Sequence, residues 1–166
     1  GLRLSQTVAG HQEKNRRGGT ENVPSIAGLG MACELASKEL SANAGHYEAW
    51  RRKLVAAVLG IPDARLNGHP TLRLPNCAHF SFAGIDGHHL VVALDQEGLC
   101  VSSGPACSTG SSLPSHVLAA MGVPEKYITG SLRVSFGWSS SERDLDRLIA
   151  LLPKTVDKLR RVAAPI

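Results

Sequence analysis

Two short runs of alternating polar and apolar residues most restrict the folds open to this chain. Residues 78–82 alternate and end at Gly84, and residues 131–136 alternate before Gly137. Alternation over this length is typical of a β-strand with one buried face, because successive side chains point to opposite sides of a sheet. The apolar residues 99–101 predict a further short, buried strand. We therefore expect a small sheet.

Helical spacing surrounds these strands. Apolar residues recur at three and four positions from Val23 until the Gly60-Ile61-Pro62 stop, with a weak stretch at residues 41–45, which predicts two helices or one bent helix. Asp86 is the expected N-cap of a helix that Gly98 ends. A last helix is expected from residues 139–141, where Ser139 and Glu142 have capping-box spacing.

The 166 residues suffice for one domain. Irregular alternation of helices and strands predicts the α+β class, with a small mixed or antiparallel sheet and helices over one face. Residues 1–22 are polar and marked by glycine, so we expect an exposed arm there and a compact domain at residues 23–166.

Charge and hydropathy exclude several classes of protein. The net charge of +4 is spread over separate clusters and is too dilute to indicate a nucleic-acid partner. The uncharged stretch 98–124 is rich in Ser, Gly and Pro and has no continuous apolar run, so no membrane span is expected. The first residues contain no apolar signal core and no initiator Met, from which we expect a cytoplasmic protein and a piece of something longer.

The four cysteines lack the spacing of a metal site. No CxxC pair is formed by Cys33, Cys77, Cys100 and Cys107, so no zinc site is expected. We expect free thiols in a reducing cytosol instead. Cys33 and Cys100 fall on apolar patterns and are predicted to lie in the core, whereas Cys77 stays undecided.

Cys107 and Arg133 are the candidates for chemistry. Cys107 lies in a Ser/Gly-rich segment that exposes a thiol, which suits a reactive nucleophile and equally an incidental cysteine in a polar linker. Alternation places Arg133 on one face of the strand and its neighbours Leu132 and Val134 on the other, apolar face. A guanidinium on a rigid strand suits carboxylate capture, although an ordinary solvent-facing arginine fits the residues as well.

The arm offers a weak anion-binding signal. Arg17, Gly18, Gly19 and Thr20 could surround a phosphate with backbone N–H groups and a hydroxyl. A P-loop Lys-Ser/Thr pair is missing, so these residues alone do not identify a phosphate site.

Taken together and in order, these motifs resemble the carboxy-terminal part of the cysteine desulfurases of the nitrogen-fixation and iron-sulfur-assembly type, within the class-V aminotransferase superfamily. The resemblance covers nearly the whole chain, and two positions, Pro105 and Leu113, depart from it where the family has Ser and Glu. It rests on residues 9–23, 74–76 with 81–82, 101–107 with 114–118, and 132–137.

The resemblance implies a role for each candidate residue. Cys107 would be the nucleophile that attacks the sulfur of L-cysteine bound to pyridoxal 5'-phosphate, becomes a persulfide and passes sulfur to an acceptor protein, leaving L-alanine. Arg133 would bind the substrate carboxylate. Thr20 would contact the cofactor phosphate of the neighbouring subunit, which implies a homodimer.

The resemblance also implies a missing part. The family's large domain, with the lysine that binds the cofactor, precedes the first motif, and none of the lysines here lies in a motif that matches that cofactor-binding lysine. The sequence therefore predicts the small domain and arm of a fold-type I enzyme, inactive alone. The alternatives are a sulfur carrier that kept the Cys107 loop without catalysis, and a related lyase or transaminase, which the residues around Cys107 disfavour.

Overall fold

The computed structural model describes residues 5–104 and 115–163 and divides the chain into two compact units, one ending at Ser41 and the other beginning at Ala42. The predicted α+β class is confirmed. In chain order the elements are α1 (Gln12–Asn15), α2 (Val23–Leu59), β1 (Ala64–Leu66), β2 (Cys77–Phe82), α3 (Gly87–Gln96), α4 (His116–Ala120), α5 (Glu125–Ile128), β3 (Ser131–Ser135) and α6 (Glu142–Ala163).

The sheet is antiparallel, with strand order β1-β2-β3. Strands β2 and β3 confirm the two alternating runs. β1 was not predicted, because the turn residues that follow it dominate the local pattern. The strand expected at residues 99–101 is wrong: only Ser102 pairs there, as a single bridge to Arg133.

One face of the sheet forms the core of the second unit. Helices α3 and α6 and the later turns of α2 contribute apolar side chains to the same cluster as β2 and β3. Six residues that are at most 1% exposed illustrate the packing: Leu54, Phe80, Phe82, Leu90, Leu132 and Leu152. Burial of each side chain of this size contributes roughly 1.5–3 kcal/mol to folding. This packing fixes the orientation of the sheet and therefore which of its faces points away from the core.

Helix starts follow local side-chain chemistry. The Asp86 carboxylate accepts a 2.7 Å hydrogen bond from the His88 amide, which confirms it as the cap of α3. For α6 the expected pair is wrong by two residues: the Ser141 amide donates to Asp144 Oδ2 (2.9 Å) and the Asp144 amide to Ser141 Oγ (3.3 Å). These bonds from Ser141 lower the pKa of the Asp144 carboxyl below its ordinary value.

Two glycines allow α3 and β2 to lie close to the start of β3. A side chain at Gly87 would overlap the backbone of Ser131, and one at Gly130 would overlap the carbonyl oxygen of Phe82. The Phe82 amide donates to the Gly130 carbonyl and the Gly87 amide to the Thr129 carbonyl, both at 2.9 Å. Larger residues at these positions would force the backbone apart.

Helix α2 is one continuous helix, but the apolar spacing of its first turns does not correspond to burial. Ile26, Leu29 and Leu40 are exposed, and so is Cys33. The prediction that Cys33 lies in the core is therefore wrong, because helical spacing identifies an apolar face without showing what covers it. Cys100 is exposed as well, since its neighbour Leu99 takes the buried side.

Within the described residues, no helix is long and apolar enough to cross a membrane.

Candidate functional site

The face of the sheet opposite the core is polar. We call it the polar sheet face, and it is made of three side-by-side pairs on β2 and β3: Cys77 with Ser135, His79 with Arg133, and Ser81 with Ser131. Ser135 Oγ lies 3.9 Å from Cys77 Sγ. The face therefore brings together a thiol, an imidazole and a guanidinium on one rigid surface.

Arg133 has the orientation that alternation predicts. Leu132 and Val134 are buried, and Arg133 is exposed on the other side. Its backbone amide and carbonyl both bond to Ser102, at 2.6 and 3.1 Å. These bonds fix its backbone, and within the described residues its guanidinium has no hydrogen-bond or ion-pair partner.

Asn67 holds His79 in place. The buried Asn67 Nδ2 donates to His79 Nδ1 at 2.9 Å and to Ser81 Oγ at 2.7 Å. The backbone amide of Asn67 donates to the His79 carbonyl at 2.8 Å, and Arg73 Nη2 donates to the Asn67 carbonyl at 2.8 Å. An asparagine bound through its amide, carbonyl and side chain is a fixed support for the imidazole.

The polar sheet face is electropositive. Burial, then the charges of Arg133 and Arg73, lower the pKa of His79 below its ordinary value, so the imidazole is neutral near pH 7. Burial, then the charge of Arg51, lower the pKa of Arg73, while Cys77 opposes this shift. Arg51 is itself 6% exposed; its Nη2 lies 3.6 Å from Glu48 Oε1, and its Nε has no hydrogen-bond partner in the part of the chain that the structure describes. Such a surface favours an anion.

Residues 5–22 are mostly exposed, but the amides of two glycines among them donate to acceptors within the same segment. The Gly18 amide donates to the Val8 carbonyl (2.9 Å) and the Gly19 amide to Gln12 Oε1 (3.2 Å). Arg17 pairs with Glu21 at 2.7 Å. Thr20, the last of the four residues predicted to surround a phosphate, is exposed and follows Gly18 and Gly19, whose amides already have acceptors.

The three predicted site residues differ in what can be said of them. Cys107 lies outside the described residues. Thr20 belongs to the first unit and Arg133 to the second. Beside Arg133 the structure places His79 and its support Asn67, which the sequence reasoning missed. The sequence did indicate that His79 lies on a strand, because it occupies the alternating run that predicted β2. Its pairing with Arg133 could not be predicted, because it depends on the register between two strands whose paired residues, 79 and 133, lie 54 positions apart in the sequence.

Comparison with known proteins settles the family. Residues 2–148 match the family model described as aminotransferase class-V. The chain belongs to the class-V aminotransferase family. This family assignment confirms the superfamily resemblance drawn from the separated motifs.

The relatives of this family member bear the expected names. It is 45% identical over 154 residues to "Cysteine desulfurase IscS" of Methanosarcina thermophila, a match of 93% of the chain and 38% of the relative. It is 41% identical over 155 residues to "Cysteine desulfurase NifS" of Azotobacter vinelandii, covering 93% of the chain and 39% of the relative. The chain thus spans about two fifths of the length of these relatives.

Solved structures agree on the fold. A NifS-like protein superposes with a TM-score of 0.80 at 32% identity, over 96% of this chain and 40% of that one. A NifS-like protein from Rickettsia africae gives a TM-score of 0.79 at 29% identity, over 94% and 41%. The expected small-domain architecture is therefore that of the class-V family.

The described residues contain no group of three or more His, Cys, Asp or Glu placed to hold a metal ion.

Proposed function

We propose that the chain is part of a pyridoxal-phosphate-dependent cysteine desulfurase, with residues 1–22 as the arm and residues 23–166 as the small domain. The complete enzyme takes sulfur from L-cysteine and leaves L-alanine. The sulfur is held as a persulfide on Cys107 and passed to an acceptor for iron-sulfur cluster assembly or another use.

The observation that carries this proposal is the state of Arg133. Its guanidinium stands on the electropositive polar sheet face without an acidic partner among the described residues. An arginine in this setting binds a carboxylate through two parallel hydrogen bonds. An amino-acid substrate supplies that carboxylate, and the names of the relatives make L-cysteine the substrate of choice.

The residues present suit part of a pyridoxal phosphate site. Thr20 offers an exposed hydroxyl for the phosphate. A lysine that binds the cofactor as an imine needs a lowered pKa, which burial or a nearby cation supplies. Every lysine of this chain is exposed, and a hydrogen bond to Asp146 raises the pKa of Lys53. When bound, the cofactor supplies an electron sink, and its lysine comes from outside this chain.

A homodimer follows from the role of Thr20. We propose that the arm of one subunit reaches the cofactor phosphate of its neighbour, as the resemblance implies, and that the enzyme works in the cytoplasm. The internal bonds of Gly18 and Gly19 support this by holding the arm in a defined shape around Thr20.

The test measures sulfide release from L-cysteine by the complete enzyme that carries this chain. Cys107→Ser should abolish release, since the nucleophile is lost, while the exposed-thiol controls Cys33→Ser and Cys100→Ser should keep it. Arg133→Ala should raise KM for L-cysteine by at least about tenfold, whereas Arg52→Ala should not. A Cys107→Ser variant with near-native release would refute the desulfurase proposal, and a persulfide accepted without any release would favour the sulfur carrier.

A further inference from the structure

Beside Arg133, the polar sheet face holds a second donor that the function above does not use. His79 and Arg133 lie directly opposite each other on β2 and β3. Hydrogen bonds join Phe82 to Gly130 and Phe136 to Asn76, so the intervening pairs at the odd positions of β2 do not exchange backbone bonds. In such a pair the Cβ atoms are about 4.5–5.5 Å apart, and both side chains leave the same face.

The position of the imidazole proton follows from Asn67. Nδ1 of His79 accepts from the Asn67 amide nitrogen, which places the proton of the neutral ring on Nε2. This orientation leaves one buried atom, Asn67 Oδ1, without a hydrogen-bond partner among the residues described. The reversed amide would instead leave both hydrogens of a buried NH₂ group unpaired, which is the rarer and costlier arrangement.

His79 therefore presents a fixed N–H donor next to a cation. Within the described residues, neither the Nε2 hydrogen nor the Arg133 guanidinium meets an acceptor. A neutral donor suits this position, because a second cation beside Arg133 and Arg73 would add repulsion. Two donors on adjacent strands, both without an acceptor in the described part of the chain, form a pair that matches the two oxygens of one carboxylate.

We propose that His79 is a carboxylate-binding residue, whose Nε2–H and the Arg133 guanidinium together bind the carboxylate of the amino-acid substrate, and that Asn67 is the positioning residue that fixes the imidazole. The identity of that substrate as L-cysteine rests on the proposed function.

Kinetics of the complete enzyme test the donor. His79→Leu should raise KM for L-cysteine about tenfold with little change in kcat, because the carboxylate is bound equally before and during the reaction. His79→Gln, which keeps an N–H of similar reach, should restore most of the affinity. His89→Leu, at an exposed position on α3, is the matched control and should behave as the wild type. An unchanged KM in His79→Leu, or equal defects in the Leu and Gln variants, would overturn the proposal.

A pH profile tests Asn67 separately. An aspartate at this position accepts from Nδ1–H and moves the proton of the neutral ring away from Nε2. The groups that face the ring are Arg133 on β3, Arg73 before β2 and Asn67 itself. Asn67→Asp should therefore raise KM relative to the wild type at high pH and recover as pH falls and both ring nitrogens become protonated. A KM ratio that does not vary with pH would remove the positioning role.

Nitrogen NMR of the 166-residue chain distinguishes this proposal from the function on which it rests. L-alanine should shift the His79 Nε2 signal to saturation, and L-alaninamide, which lacks the carboxylate, should not. Equal responses to both would overturn carboxylate binding by His79. If the wild-type complete enzyme releases no sulfide while L-alanine still shifts this signal selectively, the desulfurase proposal fails and the carboxylate site stands.

Discussion

The two faces of the small sheet use the same strands in opposite ways. On the core face, Phe80 and Leu132 lie opposite each other and are fully buried. On the polar sheet face, one residue away on each strand, His79 and Arg133 lie opposite each other, and each has a donor that meets no acceptor among residues 5–104 and 115–163. Buried apolar side chains are concentrated on one side and the proposed binding residues on the other, so substitutions one position apart should affect different properties.

The largest effect is expected on the core face. Phe80→Ala should lower the free energy of unfolding by about 3–5 kcal/mol, since it removes a buried aromatic ring and leaves a cavity. Arg133 lies opposite His79, the neighbour of Phe80. Arg133→Ala should change the free energy of unfolding by no more than about 0.5 kcal/mol. Urea unfolding of the two variants measures both values, and similar losses would erase the contrast between the faces.

Close backbone approach should affect both faces together. Gly130→Ala places a methyl group against the Phe82 carbonyl and should cost about 1–3 kcal/mol through strain at the β2–β3 junction. The matched control is Gly137→Ala, where an added Cβ meets no atom within 4 Å. Thermal unfolding compares the pair, and a Gly130 variant as stable as its control would show that the junction yields easily.

The network beneath the polar sheet face should contribute less. Asn67→Ala removes the bonds to His79 and Ser81 and should cost about 1–2 kcal/mol, because buried partners lose their hydrogen bonds. Gln96→Ala at the exposed end of α3 serves as the reference. Equal urea midpoints for Asn67→Ala and Gln96→Ala would mean that the hydrogen bonds of Asn67 do not stabilise the fold.

The smallest effect is a dependence of stability on pH. The folded-state pKa of His79 lies below its unfolded value of about 6.5, so the unfolded chain binds more protons in the window beneath that value. Stability should therefore fall as pH decreases from about 6.5 towards the folded pKa, and His79→Gln should flatten this slope. Urea titrations at several pH values measure it; identical slopes would assign the effect to other groups.

Local patterns predicted the parts of the fold that depend on nearby residues. Alternation identified β2, β3 and the outward direction of Arg133, and the Asp86 carboxylate marked the start of α3. Helix α6 starts directly after the expected residues 139–141, but the capping pair was placed two residues early because several serines there can cap, and only the geometry selects Ser141. The three-residue strand β1 is too short to carry a pattern of its own.

Long-range pairing and the covering of apolar faces could not be predicted in this way. The contact of His79 with Asn67 and its position opposite Arg133 arise from strand register. Cys33 and Cys100 were assigned to the core from apolar neighbours, yet burial depends on which residues the fold brings against them. The roles of Thr20, Arg133 and Cys107 came from motif order and remain proposals.

The glycine contacts at the start of β3 also determine which parts of the site can move. Gly87 and Gly130 hold α3 and β2 against residues 129–131, two positions before Arg133. The amide hydrogens of Phe82 and Gly87, closed into this junction, should exchange with solvent only when the domain opens as a whole. If Arg133 binds the substrate as proposed, we expect it to adjust by rotation of its own side chain, while the backbone of β3 stays in place.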